Sequence, residues 1–198
     1  MIKSLKQDIR NCRICRCSPK PLPVIPNPIV SGSKSSRIRI IGQAPGTLAH
    51  ISGRPFTDPS GVRLRDWLGV NEDEFYNESY FAITPMGFCF PGQDSKGGDL
   101  PPRKECAPLW QDKLTQALPH IELTLLVGMY AVQHVLKQKA QRNLTETVRH
   151  WRDYGPDIMP LPHPSWRNNG WIKRHSWFSE ELSELKIKIR QIIDATKK

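Results

Sequence analysis

Short apolar runs alternate along the chain with longer stretches whose apolar positions recur at helical spacing. Arg37–Ile41, Tyr80–Thr84, Leu123–Val127 and Ile158–Leu161 are rich in β-branched and aliphatic residues and read as four buried strands. Ile2, Leu5 and Ile9 mark an amphipathic helix over residues 1–11. Val62, Leu64, Trp67 and Leu68 mark another, capped by Ser60 and ended by Gly69. Trp110, Leu114 and Leu118 lie on one face of a helix over 105–118, which Pro119 closes. A helix runs from Gly128 through Leu136, and a short one spans 144–151. The last helix is capped by Ser179 and turns Leu182, Leu185, Ile189, Ile192 and Ile193 inward. Glu180 and Glu181 suit its positive end.

The order strand, loop, helix occurs four times, which is the pattern of a parallel sheet with helices on both faces. The predicted fold class is α/β: a three-layer α/β/α arrangement around a central four-stranded parallel sheet. Residues 1–198 are expected to form one domain, with 1–36 as a cysteine-containing N-terminal segment and Pro-rich loop. Within that loop, Val30-Ser-Gly-Ser is a short edge strand or a turn.

Glycine and proline then locate the chemistry. The first strand runs straight into the tight turn Gly42-Gln-Ala-Pro-Gly46. In open α/β sheets, ligands bind at the carboxyl ends of the strands. Three post-strand loops carry unusual residues, at 42–61, 85–102 and 162–170, and a parallel sheet brings them to one edge. Residues 93–102 are polar and read as a mobile loop, and Pro160, Pro162 and Pro164 stiffen the loop that holds His163.

Charge narrows the partners. Lys plus Arg number 29 against 19 Asp plus Glu, a net charge of +10, which favours a polyanion because neutralised phosphates release counterions. No run of 18 apolar residues occurs, and the first residues are polar, so a membrane protein and a signal peptide are not expected. The expectation is a cytoplasmic monomer. The five cysteines are Cys12, Cys15, Cys17, Cys89 and Cys106, an odd number that disfavours a disulfide framework. Their clustering near the N-terminus points to a metal.

Taken in order, Cys12-x-x-Cys15, Gly42-Gln-Ala-Pro-Gly46, Gly53-Arg-Pro-Phe56 with Ser60-Gly61, Cys89, Cys106 and His163-Pro-Ser165 resemble the uracil-DNA glycosylase superfamily. The likeness is to the branch that carries an iron–sulfur cluster, and it spans roughly residues 12–170. It implies a monofunctional DNA glycosylase of base-excision repair, a hydrolase of the N-glycosidic bond of uracil or a related deaminated base. It implies Cys12, Cys15, Cys89 and Cys106 as ligands of a [4Fe-4S] cluster with a structural role. Zinc uses the same four thiolates and stays open.

The resemblance also gives roles to individual residues. Phe56 matches the aromatic that stacks on the base; its other reading is a core phenylalanine. His163 matches the motif histidine that donates to the departing base. Gly42, Ala44, Pro45, Gly46, Pro85 and Ser165 fall on substrate-binding positions. Gln43 stands where the branch has Glu and can position water but cannot act as a base. Pro85 stands where relatives read the uracil edge with Asn. Asp58 either orients water and stabilises the sugar cation or is a turn residue before Pro59. Trp166 and Arg167 follow the His-Pro-Ser, where relatives wedge into DNA; otherwise Trp166 packs inward on a basic face. The partner is DNA, single- or double-stranded, bearing a damaged base. Gln43 and Pro85 motivate the alternative of a catalytically silent nucleic-acid-binding module.

Overall fold

The structure, a computed structural model, describes residues 2–197. Its centre is a four-stranded parallel sheet in the order β2-β1-β3-β4, formed by β1 (Ile38–Ile41), β2 (Phe81–Ile83), β3 (Leu123–Val127) and β4 (Ile158–Leu161). Ile40 pairs with Ile83 on one side and Leu125 on the other, and Val127 pairs with Leu161, so the strands end at a common level.

Strand periodicity divides the core. Ile38, Ile40, Phe81, Ile83, Leu123, Leu125, Val127, Met159 and Leu161 face one way. They pack on Leu64, Trp67, Leu68, Phe75, Phe178, Leu185 and Ile189, which come from α3 (Pro59–Leu68), α4 (Glu72–Tyr76) and α9 (Trp177–Thr196). The opposite face is covered by α1 (Ile2–Asn11), α5 (Cys106–Ala117) and α6 (Met129–Leu136). Ile2, Leu5 and Ile9 lie with Trp110 and Leu114 there, as the amphipathic pattern requires. This is the three-layer arrangement expected.

The second face also buries a charge. Arg39 donates to Thr84 Oγ1 at 2.9 Å, Thr115 Oγ1 at 2.7 Å and Gln111 Oε1 at 2.7 Å. Burial brings its pKa down to about 10, and Asp112 opposes the change. Gln111 in turn donates to Pro85 O at 2.8 Å, so the loop after β2 hangs from α5 by this network.

Several expected boundaries shift. Asp58, not Ser60, stands at the N-cap of α3; Pro59 takes the first helical turn, where its missing N–H is no loss, and Ser60 is buried inside the helix. Val62 is 61% exposed and does not face the core. The last helix starts at Trp177 with Ser176 at its N-cap, ahead of Ser179. The short helix α2 (Thr47–Ser52) occupies part of the 42–61 segment read as loop, and α4 lies where no element was expected. The helix near 144 is α7 (Leu144–Arg149), and Asn169–Arg174 forms α8. Val30-Ser-Gly-Ser gives one antiparallel bridge, between Ser31 and Ile83.

Candidate active site

The three post-strand loops do meet. Gly42, Gln43, Ala44, Pro45, Gly46, Phe56, Asp58, Pro85 and His163 line one pocket at the carboxyl edge of the sheet, together with Ala49, Pro55, Ser60, Ile83 and Asp99. The turn after β1 is fixed to the loop after β2: Met86 N donates to Gly42 O at 2.9 Å and Gly87 N to Gln43 O at 2.9 Å. Gln43 Nε2 donates to Leu100 O at 3.2 Å, which joins the polar 93–102 segment to the same turn.

Phe56 is held in a left-handed conformation, with φ 55°, which a bulky residue adopts only when its surroundings demand it. The surroundings are explicit. Tyr76 Oη donates to Pro55 O at 2.7 Å and to Phe56 O at 3.1 Å, and Arg65 Nη1 donates to Phe56 O at 3.3 Å. The ring meets Phe75 edge-on at 6.1 Å. A Cβ placed on Gly42 would lie 3.3 Å from Phe56 Cζ, and one on Gly61 only 1.8 Å from Phe56 O. Close approach of Phe56 therefore requires glycine at 61 and makes any side chain at 42 a tight fit. The ring lies beside the first turn and lines the pocket while its flank packs on the core.

Asp58 occupies an N-cap position, yet its side chain makes no capping hydrogen bond. Its carboxylate faces the pocket, and its charge bears on His163. Burial lowers the His163 pKa below its ordinary value, with Asp58 and then Asp99 opposing that shift. The imidazole is thus neutral at pH 7, with one N–H to donate. Its backbone is pinned by Asn168 Nδ2, which donates to His163 O at 2.6 Å.

Asp99 is the pocket residue that sequence reasoning missed. It sits in the polar 93–102 segment, and only its charge and the flanking Gly97-Gly98 could have drawn attention to it. That segment closes on itself through Asp94, whose Oδ1 accepts from Lys96 N and Gly98 N at 2.8 Å each. Tyr76 and Arg65, which hold Phe56, were also missed.

Ser165 does not reach the pocket. It lines the groove outside it with Leu48, Arg63, Trp166 and Arg167, and Arg63 Nη1 donates to Ser165 O at 2.9 Å. Trp166 is 70% exposed and so does not pack inward. Arg167 lies over its ring at 5.3 Å and donates to Gly97 O at 3.3 Å.

The cysteines converge separately, on the α1–α5 side. Cys12, Cys15, Cys89 and Cys106 line one small cavity with Ile9, Phe88 and Trp110, while the exposed Cys17 is outside it. Burial pushes Cys89 up to about 12 and Cys106 up to about 11, and raises Cys15 as well. Three buried thiols and the half-buried Cys12 around one cavity are a donor set that a thiophilic cation suits, since the cation lets them ionise together. Among the described residues, no group of three is already drawn close enough to hold a metal ion. No helix among them is long and apolar enough to cross a membrane.

Several known proteins are similar to this chain. A Type-4 uracil-DNA glycosylase of Saccharolobus solfataricus is 23% identical over 174 residues, covering 81% of this chain and 74% of that one. A solution NMR structure of a candidate uracil DNA glycosylase from Methanosarcina acetivorans aligns with TM-score 0.47 and 16% identity, over 83% of this chain and 97% of that one. The crystal structure of wild-type Pedobacter heparinus SMUG2 aligns with TM-score 0.41 and 16% identity, over 82% and 77%. The family model of the uracil DNA glycosylase superfamily matches residues 29–186, and the chain belongs to that superfamily.

Proposed function

We propose that this protein is a monofunctional DNA glycosylase that hydrolyses the N-glycosidic bond of uracil or a related deaminated base in DNA. One observation carries the reading. An aromatic ring, a neutral histidine and a carboxylate share a single pocket whose mouth opens on a groove bearing Trp166, Arg63 and Arg167. The net charge of +10 supports a polyanionic partner.

In this reading Arg63 and Arg167 meet phosphates, and Trp166 fills the gap that a flipped nucleotide leaves. The extruded base stacks on Phe56. The bond from C1′ to the base nitrogen breaks with its electron pair going to the base. The neutral His163 donates its N–H to the oxygen where that charge collects. The Asp58 carboxylate stabilises the cationic sugar. Water then bonds to C1′ and loses its proton. Gln43 keeps its Oε1 free to orient water, since Nε2 is spent on Leu100 O. Pro85 offers no side-chain hydrogen bond to the base edge, so the backbone of the Gly42–Gly46 turn supplies the remaining contacts. The site is suited to several deaminated bases.

Cys12, Cys15, Cys89 and Cys106 would hold a [4Fe-4S] cluster, which when bound cross-links the N-terminal segment to the loop and helix on either side of residues 90–105. The reading predicts a brown protein with broad absorbance near roughly 400 nm and bound iron. A colourless preparation, purified without oxygen and carrying about one zinc, would replace the cluster with a zinc site.

The test of the reaction is release of free base from single- and double-stranded DNA containing uracil, hypoxanthine or xanthine. Release from at least one, lowered at least about 100-fold by His163→Ala, is expected. Pro85 and Gln43 favour a second reading, a silent DNA-binding module. Tight binding of abasic duplex with no release from any substrate would establish that reading instead.

A further inference from the structure

The first turn lacks a carboxylate, since Gln43 and Ala44 stand on it, but the pocket does not. Asp99 reaches it from the loop between Cys89 and Cys106. Asp99 Oδ2 would lie 3.2 Å from a Cβ built on Gly46, so the carboxylate leans over the end of the turn, in space that a side chain there would contest. Asp99 lines both the pocket and the outer groove, as do Asp58 and His163. The two carboxylates therefore flank one histidine. They differ in their surroundings: Asp58 is half-buried at the start of α3, whereas Asp99 is exposed at the mouth.

The placement of Asp99 is structured. Its backbone bridges to Gln93, whose Nε2 donates to Asp99 Oδ1 at 3.3 Å. The next residue gives its N–H to Gly92 O at 2.9 Å and its carbonyl to Gln43. Arg167 holds the tip of the same loop through Gly97 O. The loop thus fastens a carboxylate to the turn on the side open to solvent.

We infer that Asp99 is a catalytic residue of this pocket, the carboxylate that takes the proton of the attacking water. This rests on the glycosylase reading above. The division of labour follows from exposure. The inner carboxylate, Asp58, faces the sugar as its bond to the base breaks and positive charge develops. The outer one, Asp99, meets water entering from the groove. Oxygen of that water bonds to C1′ while one of its protons passes to Asp99, which returns it to solvent; the base departs with the glycosidic electron pair. Paired carboxylates with separate environments are a general solution for cleaving glycosidic bonds.

The test compares wild type with Asp99→Asn under single-turnover conditions, on the base that wild type releases best. Binding of an abasic-site duplex and thermal unfolding are measured on the same samples. The expected result is a rate about 100-fold lower, with abasic binding within about threefold and an unchanged melting temperature. A rate within about threefold of wild type would overturn the assignment. So would a rate loss matched by an equal loss of abasic binding, which would make Asp99 a binding residue. If Asp99→Asn melts early, Asp99→Ser is read by the same criteria. Absence of base release by wild type itself would remove the glycosylase reading, an outcome separate from an active Asp99→Asn.

Discussion

Gly61→Ala tests whether the position of Phe56 governs the site. Gly61 lies in the first turn of α3 with a helical backbone, where replacing glycine by alanine ordinarily stabilises by up to about 1 kcal/mol. Here the added methyl would fall 1.8 Å from Phe56 O, 2.5 Å from its carbonyl carbon and 2.9 Å from its Cβ. Relief requires the Phe56 backbone to retreat by more than about 1 Å. That backbone has little freedom, since it already sits at φ 55°. Overpacking of this kind costs roughly 1–3 kcal/mol. The hydrogen bonds that Phe56 O accepts from Tyr76 and Arg65 are displaced as well, at about 1 kcal/mol each. The expected destabilisation is about 3 kcal/mol by urea unfolding, with base release reduced at least about tenfold in the fraction that remains folded. Gly42→Ala supplies the graded comparison. Its methyl would meet only the ring edge, at 3.3 Å, so the ring yields by a few tenths of an ångström. Stability should then stay within about 1 kcal/mol while base release still falls, because the altered contact is inside the pocket. A Gly61→Ala protein as stable and active as wild type would refute the reasoning.

Other perturbations have separate readouts. Trp166→Ala should weaken binding of abasic duplex by about 1–3 kcal/mol and leave the melting temperature unchanged, because the ring is exposed; unchanged DNA binding would remove its wedge role. Arg39→Ala takes the donor from two buried acceptors, Gln111 Oε1 and Thr84 Oγ1, and at roughly 1–3 kcal/mol each should cost about 2–6 kcal/mol in urea unfolding, whereas Arg39→Met should recover part of this through packing; an Arg39→Ala protein within about 1 kcal/mol of wild type would contradict it. His163 has a depressed pKa, so below about pH 6.5 the unfolded chain takes up a proton that the folded chain refuses. Its contribution therefore makes the fold less stable as the pH falls from 7 towards 5. His163→Gln should flatten that part of the stability–pH curve, and an unchanged slope would show that the imidazole is not buried as described.

The sheet was legible because each strand is a compact apolar run followed by a glycine or proline break, and β3 and β4 end where the sequence placed them. The helix starts were less so. Ser60 and Ser179 are good capping residues by type, but with Pro59 in the first turn of one helix and Trp177 and Phe178 packed at the start of the other, the caps fall two and three residues earlier, at Asp58 and Ser176. The helix α4 was available from Asn71 and Glu74, which form a complete capping box, although its five residues carry too little periodicity to stand out. That omission had a consequence in the site, because α4 supplies the Tyr76 hydroxyl that fixes Phe56.

The motif residues of the pocket were legible because each is set by a strict local demand, such as a glycine under a ring or a proline-clamped histidine. Asp99 has no such signature. A loop of polar residues with two glycines reads as solvated chain, and nothing local distinguishes the carboxylate that lies over the pocket mouth. Contacts that close the loop, among them Leu100 O to Gln43 and Gly97 O to Arg167, turn it towards the pocket. Both ends of that loop run into the cysteine cavity, at Cys89 and Cys106. A group bound there would tie those ends and so hold the span that carries Asp99 over Gly46. The cysteine site and the candidate pocket, which the sequence presents as two separate constellations, are joined through nine residues of backbone between Cys89 and Asp99 and six between Asp99 and Cys106. Cys106→Ser should therefore lower base release even where DNA binding survives, and more than it lowers the activity of Asp99→Asn, in which the carboxylate is already gone.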